Sequence, residues 1–273
     1  MIHNRYFRFK DIHITNRGDY VLTGVSNLET GSTTKRKVEY ASSDGVVYRD
    51  ILYNERAFEI SGIIHAENSE TMVRLKRKLI TACSLKESVR IYYCNRENTY
   101  SAECYFDKLP TFGARKQWWL PFKLYVTIPG FYWQSGHLRE FNLFQYKDDV
   151  TDTFTLPCVF TSLVNEAKIV NSGDVEAFPV FTIVCNATAS GSAAIENLTT
   201  KKKLVLNYLP TVGEIITVDS YNQRITSNLA GNITGKITLD SEFFSLQTGE
   251  NNLLCDAVGT YVKISFYENY LGV

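Results

Sequence analysis

The pattern that most restricts this chain is strict alternation of apolar and polar residues in many short runs. Phe58, Ile60 and Ile64 alternate with Glu59, Ser61 and His65, and Gly62 falls on the apolar side. Phe122, Leu124, Val126 and Ile128 alternate with Lys123, Tyr125 and Thr127, and Leu204, Leu206 and Tyr208 and then Val262, Ile264 and Phe266 repeat the pattern. A period of two over four to eight residues marks a strand with one buried face. Turn signals separate the runs: Ser43-Asp44-Gly45, Asn171-Ser172-Gly173-Asp174, Ala230-Gly231-Asn232 and Thr248-Gly249-Glu250-Asn251. Many short strands so punctuated specify an all-β fold of sandwich or barrel type.

One segment breaks the rule. From Ser69 to Leu85 the apolar residues Met72, Leu75, Leu79 and Cys83 recur at spacings of three and four, which predicts a single amphipathic helix over 69–85. Asn68 or Ser69 can cap its first turn, and Glu70 suits the positive end of its dipole. Its other faces carry Arg74, Lys76, Arg77 and Lys78. A basic run on a helix is most often a solvated face, and the competing reading is a contact surface.

The 273 residues suggest two domains or one large β domain. Gly130 to Gly136 ends a strong strand and breaks the alternation, so the expected domains are 1–134 and 135–273. With 29 Lys and Arg against 29 Asp and Glu, formal neutrality argues against a chain that wraps nucleic acid or coats an anionic membrane. The first ten residues carry charges where a signal peptide needs an apolar core, and every apolar run is far shorter than the ~20 residues a spanning helix needs. The expectation is synthesis in the cytosol.

Catalytic signatures are missing. His3, His13, His65 and His137 form no HExxH or HxH spacing, and no GxSxG, Walker loop or GxGxxG occurs. The six cysteines form no CxxC, which leaves zinc and redox readings unsupported. Cys94 and Cys104 could face each other across a hairpin, but six reduced thiols acting as small apolar residues is the favoured reading. Asp240 and Glu242 have the parity of a β-sandwich glycosidase pair, yet they lack a third acidic partner and read as surface charges. Asp148, Asp149 and Asp152 read as a solvated acidic turn rather than a cation site. Of Trp118-Trp119 and of Phe131-Tyr132-Trp133, alternation predicts some rings in the core and the others exposed, as a partner contact or sugar platform.

The order of these features resembles the distal tail proteins of long-tailed, non-contractile bacteriophages. Ser43-Asp44-Gly45 and then Arg56-Ala57-Phe58-Glu59-Ile60-Ser61-Gly62 look like the family's turn and its following strand. The helix stands where the family has its belt helix, and Phe122 to Ile128 closes on Pro129-Gly130-Phe131-Tyr132. In the second half Asn171-Ser172-Gly173, Phe178-Pro179-Val180-Phe181, Ile215 to Asp219 and Ser245 to Asn251 follow in the family's order, with Thr248 where Pro is usual, before the closing strand Val262 to Phe266.

The resemblance implies an N-terminal ring-forming β-sandwich and a C-terminal galectin-like, jelly-roll β-sandwich. It implies a homohexamer at the virion tail tip that joins the tail-tube protein to the tail-associated lysin or hub protein and passes DNA during ejection. Assembly would take place in the bacterial host cytoplasm, without enzymatic activity or cofactor. The candidate assembly interface is then the belt helix, through Arg74, Lys76, Arg77 and Lys78. The alternatives are a carbohydrate-binding module for host cell-wall glycan, with Phe178, Phe181, Tyr208 and Tyr221 as possible platform residues, and, third, a β-sandwich glycoside hydrolase.

Overall fold

A computed structural model of the chain describes residues 5–29, 31, 33–39, 46–96, 98–144, 166–185, 193–256 and 260–273. The turn at 43–45, the acidic cluster at Asp148, Asp149 and Asp152, His3 and Cys158 lie outside the described residues. The chain divides into two compact units: residues 1–136 together with 270–273, and residues 137–269.

The first unit contains β1 (Arg5–Phe9), β2 (Ile12–Thr15), β3 (Tyr20–Ser26), β4 (Thr33–Glu39), β5 (Val46–Tyr53), β6 (Arg56–His65), α1 (Ser69–Ala82), β7 (Val89–Asn95), β8 (Asn98–Phe112), β9 (Trp119–Ile128) and β10 (Trp133–Ser135). In the sheet order β10-β8-β7-β1-β2-β3-β6-β9, the long strand β8 pairs with both β7 and β9. The sandwich therefore closes on itself as a barrel, which removes most free edges. The alternating residues do what their period demands. Phe58, Ile60 and Ile64 of β6 and Phe122, Leu124, Val126 and Ile128 of β9 all point inward, across a ten-residue antiparallel register from Arg56↔Ile128 to His65↔Trp119. Gly62 fits that interior because a Cβ there would lie 2.4 Å from the Phe122 ring.

Aromatic residues fill one end of the barrel: the Phe7 and Tyr93 rings lie 4.8 Å apart and Phe58 and Trp133 5.9 Å apart. Beside them Arg56 is almost fully buried. It donates to the carbonyls of Leu28 and Leu271, and its guanidinium lies 4.5 Å from the centre of the Phe131 ring. Burial lowers its pKa from the ordinary arginine value. Residues 270–273 thus return to the first unit, where Tyr270 packs edge-on against Tyr100 at 5.3 Å. Strands β4 and β5 pair only with each other among the described residues. Tyr53 anchors this hairpin against the Phe131 ring at 4.5 Å.

Two structural details bear on the sequence expectations, the first shortening the helix and the second setting aside the less favoured Cys94–Cys104 pairing. The helix ends at Ala82, not Leu85: Cys83 leaves helical geometry at φ −84°, ψ 61°, while its N–H still bonds the Leu79 carbonyl. The β7–β8 register sets Cys94 opposite Thr99 and Cys104 opposite Val89, so those two thiols do not face each other. Cys83, Cys94, Cys104, Cys185 and Cys255 are all free and buried, and burial pushes the Cys83, Cys104 and Cys255 thiols up to about 12.

The second unit is a two-layer antiparallel sandwich. One sheet runs β11-β20-β13-β16-β17-β18, with β11 (Arg139–Phe144), β20 (Thr260–Phe266), β13 (Val180–Cys185), β16 (Ile215–Asp219), β17 (Arg224–Ser227) and β18 (Gly231–Asn232). The other runs β12-β19-β14-β15, with β12 (Glu166–Asn171), β19 (Gly249–Asp256), β14 (Ala193–Asn197) and β15 (Lys202–Leu206). Phe181, Ile183, Ile216, Val218, Val262 and Ile264 from the first sheet share one core with Ile169, Ile195, Leu204, Leu206, Leu253 and Cys255 from the second.

The polar motif residues of this half are loop staples. Buried Asn251 accepts the Gln247 N–H at 3.0 Å and donates to the Gln247 carbonyl at 2.7 Å. Buried Asn171 donates to the Val175 and Leu246 carbonyls and accepts the Gly173 N–H. These side chains satisfy backbone groups that the loops would otherwise bury unpaired. Gly249 adopts φ 89°, a conformation that costs glycine nothing.

Candidate assembly surface

The belt helix is built by its apolar stripe. Met72, Leu75, Leu79 and Ala82 are buried, and Asn68 caps the helix by accepting the Thr71 N–H at 2.7 Å. The buried Tyr20 hydroxyl donates to the Leu75 carbonyl at 2.9 Å, tying α1 to β3. Burial, reinforced by Asp19, raises the Tyr20 phenol to about 12, so it stays a donor at every physiological pH.

With that stripe fixed inward, Arg74, Lys76, Arg77 and Lys78 all point to solvent. Lys76 rests its ammonium 4.7 Å from the centre of the Phe112 ring. Arg74, Arg77 and Lys78 form no ion pair among the described residues. A shallow groove of about 440 Å³ runs along the helix, lined by Ser69, Glu70, Val73, Arg74 and Arg77. Val73 sits in it 58% exposed, and Arg115 donates to the Ser69 hydroxyl at its end. The face offers two arginines and the Glu70 carboxylate around one exposed apolar side chain.

As a pair, Trp118 and Trp119 depart from the alternation argument, since both are exposed, at 43% and 51%. Trp119 opens β9 and points outward as its parity requires, opposite the buried set that starts at Leu120, while Trp118 lies in the turn closed by the Lys116↔Trp119 bridge, where parity does not apply. Phe131 and Trp133 are buried and Tyr132 is half-buried. In the second unit Phe181 belongs to the core, while Phe178 is 37% and Tyr221 70% exposed, with rings edge to face at 5.4 Å. Tyr208 lies beyond the end of β15 and donates to the Glu214 carboxylate at 2.8 Å.

The acidic residues that could have suggested hydrolysis are occupied. Asp240 lies 2.7 Å from the Lys203 ammonium and Glu242 3.4 Å from that of Lys202. The Lys203 contact holds the Asp240 carboxyl down at about 2. Glu214, by contrast, is almost fully buried. Burial would raise its pKa, but donors from Ser227, Thr211 and Tyr208 outweigh that and hold it below the usual carboxylate range. Its two oxygens are saturated by these contacts, so it locks the loop between β15 and β16. No group of three or more His, Cys, Asp or Glu side chains with metal-binding geometry occurs among the described residues.

Comparison with known proteins points the same way for both units. Residues 7–112 match the family model of the phage tail protein RIFT-related domain, and residues 172–270 match that of the siphovirus-type tail component, C-terminal domain. Among solved structures the chain is similar to the SPP1 Dit (gp 19.1) protein, described as a paradigm of the hub adsorption apparatus in phages infecting Gram-positive bacteria. That match has a TM-score of 0.73 at 14% identity over 97% of this chain and 98% of that one. A chain of the phage P2 baseplate in its activated conformation with Ca matches at a TM-score of 0.58 and 12% identity, and one with Sr at 0.57 and 11%, each over 100% of both chains. At these identities the structural matches show the fold. No curated protein sequence matches the chain.

Proposed function

This chain belongs to the siphophage distal tail protein family and is a structural protein of the phage tail, and we propose that six copies close into a ring at the tail tip. The observation that carries the reading is the succession of two tail-component family matches, one in each unit. In this reading the first unit forms the ring, with the belt helix's Arg74, Arg77 and Lys78 seated against the neighbouring copy. One side of the ring meets the tail-tube protein, the other meets the tail-associated lysin or hub protein, and the channel passes DNA. Synthesis and assembly take place in the host cytoplasm, and the subunit performs no catalysis.

The test is assembly. Light scattering across concentrations should find a species near 187 kDa, six copies of the 31.1-kDa chain. Arg74→Glu with Arg77→Glu should stay folded and lose the ring. A ring unaffected by that double change would remove the helix from the interface. One further reading has a specific observation behind it: the exposed Phe178–Tyr221 pair is a platform on which a host cell-wall sugar could stack. A glycan array that stays flat, or that responds equally to Tyr221→Ala, would dispose of it.

A further inference from the structure

Formal neutrality hides a division of charge. Residues 1–136 hold 20 Lys and Arg against 14 Asp and Glu, and residues 137–273 hold 9 against 15, a formal +6 facing −6. Apart from the four cations of the belt helix, Arg8, Lys10 and Arg90 lie together on the outer face of β7, β1 and β2. A groove of about 460 Å³ there is lined by Arg8, Lys10, His13, Ser88, Val89, Arg90 and Tyr92. Register brings these side chains together: Arg8 stands opposite His13 on one side and Tyr92 on the other. The Arg8 guanidinium lies 4.5 Å from the centre of the Tyr92 ring. Lys10 projects from the β1–β2 turn, where its φ is 44°. Glu103 stands opposite Arg90 and accepts the Ser88 hydroxyl, and the exposed Asp11 and Glu87 adjoin Lys10 and Ser88 in the chain. Neither Arg8 nor Lys10 forms an ion pair among the described residues.

The second unit carries the complement. On the outer face of its four-stranded sheet, Glu166 and Glu196 stand on either side of Leu254 in the row β12-β19-β14. Asp256 points the same way two residues on. The nearest cation in that row, Lys203, is already held by Asp240 at 2.7 Å. Glu140 is paired with Lys263 and Glu250 with Lys168, whereas Glu166, Glu196 and Asp256 form no ion pair among the described residues. These acids around Leu254 are opposite in sign to Arg8 and Lys10 in the groove beside Tyr92.

We infer that the basic groove of one copy docks on the acidic β12-β19-β14 face of a second copy. This inference rests on the ring reading and adds to it a second contact, separate from the belt helix. A contact between two different patches repeats head to tail, and closes into a ring when the rotation allows. Opposed charges of this kind select the partner face and its register.

The experiment exchanges the charges. One variant carries Arg8→Glu with Lys10→Glu, and the other Glu166→Lys with Glu196→Lys. All four positions are surface sites, so calorimetry should show both variants melting like the wild type. Each alone sets like charges together and should raise the concentration at half-assembly by ~100-fold or more. Mixed in equal amounts they should rebuild rings containing both chains, because every contact again joins opposite charges. Wild-type assembly should also weaken as salt rises from about 50 mM to about 500 mM, a readout independent of any substitution.

Single variants that assemble like the wild type, or a mixture that stays dispersed, would overturn the inference while leaving the ring intact. So would a basic-groove variant that assembles normally but loses retention on duplex DNA, since that assigns the groove to phosphates. A wild-type chain that never assembles would remove the ring reading itself, and the contact with it.

Discussion

Leu79→Ala tests whether the belt helix is held in place as described. Leu79 is fully buried and faces the barrel with Met72, Leu75 and Ala82. Truncation removes the transfer energy of its lost methyl groups and leaves a cavity that a closed barrel cannot collapse to fill. Leu→Ala changes at such sites cost about 3–5 kcal/mol. For a unit of this size that is a loss of about 12 °C in melting temperature. Differential scanning calorimetry should record that loss in one transition and leave the transition of the second unit unmoved. Val73→Ala, next to Met72 in the helix but largely exposed, should change stability by less than about 0.5 kcal/mol. Equal effects from the two substitutions, or no effect from Leu79→Ala, would mean that the stripe does not pack inward. The basic face would then not be the face left to solvent.

Glu214→Ala should cost about 2–4 kcal/mol, because it strands buried donors from Tyr208, Ser227 and Thr211. The native carboxyl is held below its ordinary value, so its contribution is complete above the unfolded carboxylate range and is lost as pH falls through the depressed native value. Urea melts of wild type and variant should therefore converge in acid, and a gap that widened there would refute the assignment. Thiol labelling at pH 8 should be slow for Cys83, Cys104 and Cys255, whose buried thiols are pushed up to about 12. It should become complete only in denaturant, and rapid labelling of the folded chain at those positions would show that the barrel and sandwich interiors open easily.

Much of the architecture is readable in the chain because period two and period 3.6 are local. Phe58 to Ile64, Phe122 to Ile128 and Val262 to Phe266 needed only their own neighbours to declare a buried face, and so did Met72 to Leu79. What escaped depends on contacts distant in sequence. Barrel closure rests on β8 pairing two strands at once, and no window of ten residues contains that. The return of the chain end to Arg56 joins residues 215 positions apart. The exposure of Trp118 beside an outward-facing Trp119 follows from a turn that ends just where β9 begins. Cys83 ended the helix early although it kept the spacing of the apolar stripe.

The basic helix face was legible as residues but not as a surface, since spacing alone cannot separate a solvated face from a docking face. The groove at Arg8 and Lys10 was hidden twice. Its members come from different strands, and the sum over the whole chain cancels its charge. Charge counted by structural unit, rather than by chain, is the signal that would have found it.

The central claim is that this tail protein works as a closed ring. Light scattering of the purified chain over a wide concentration range, with negative-stain imaging of the same samples, addresses it most directly. The account predicts a discrete species near 187 kDa, six copies of the 31.1-kDa chain, seen as rings with a central opening. A chain that remains at 31.1 kDa at every concentration, with no rings in the images, would contradict it.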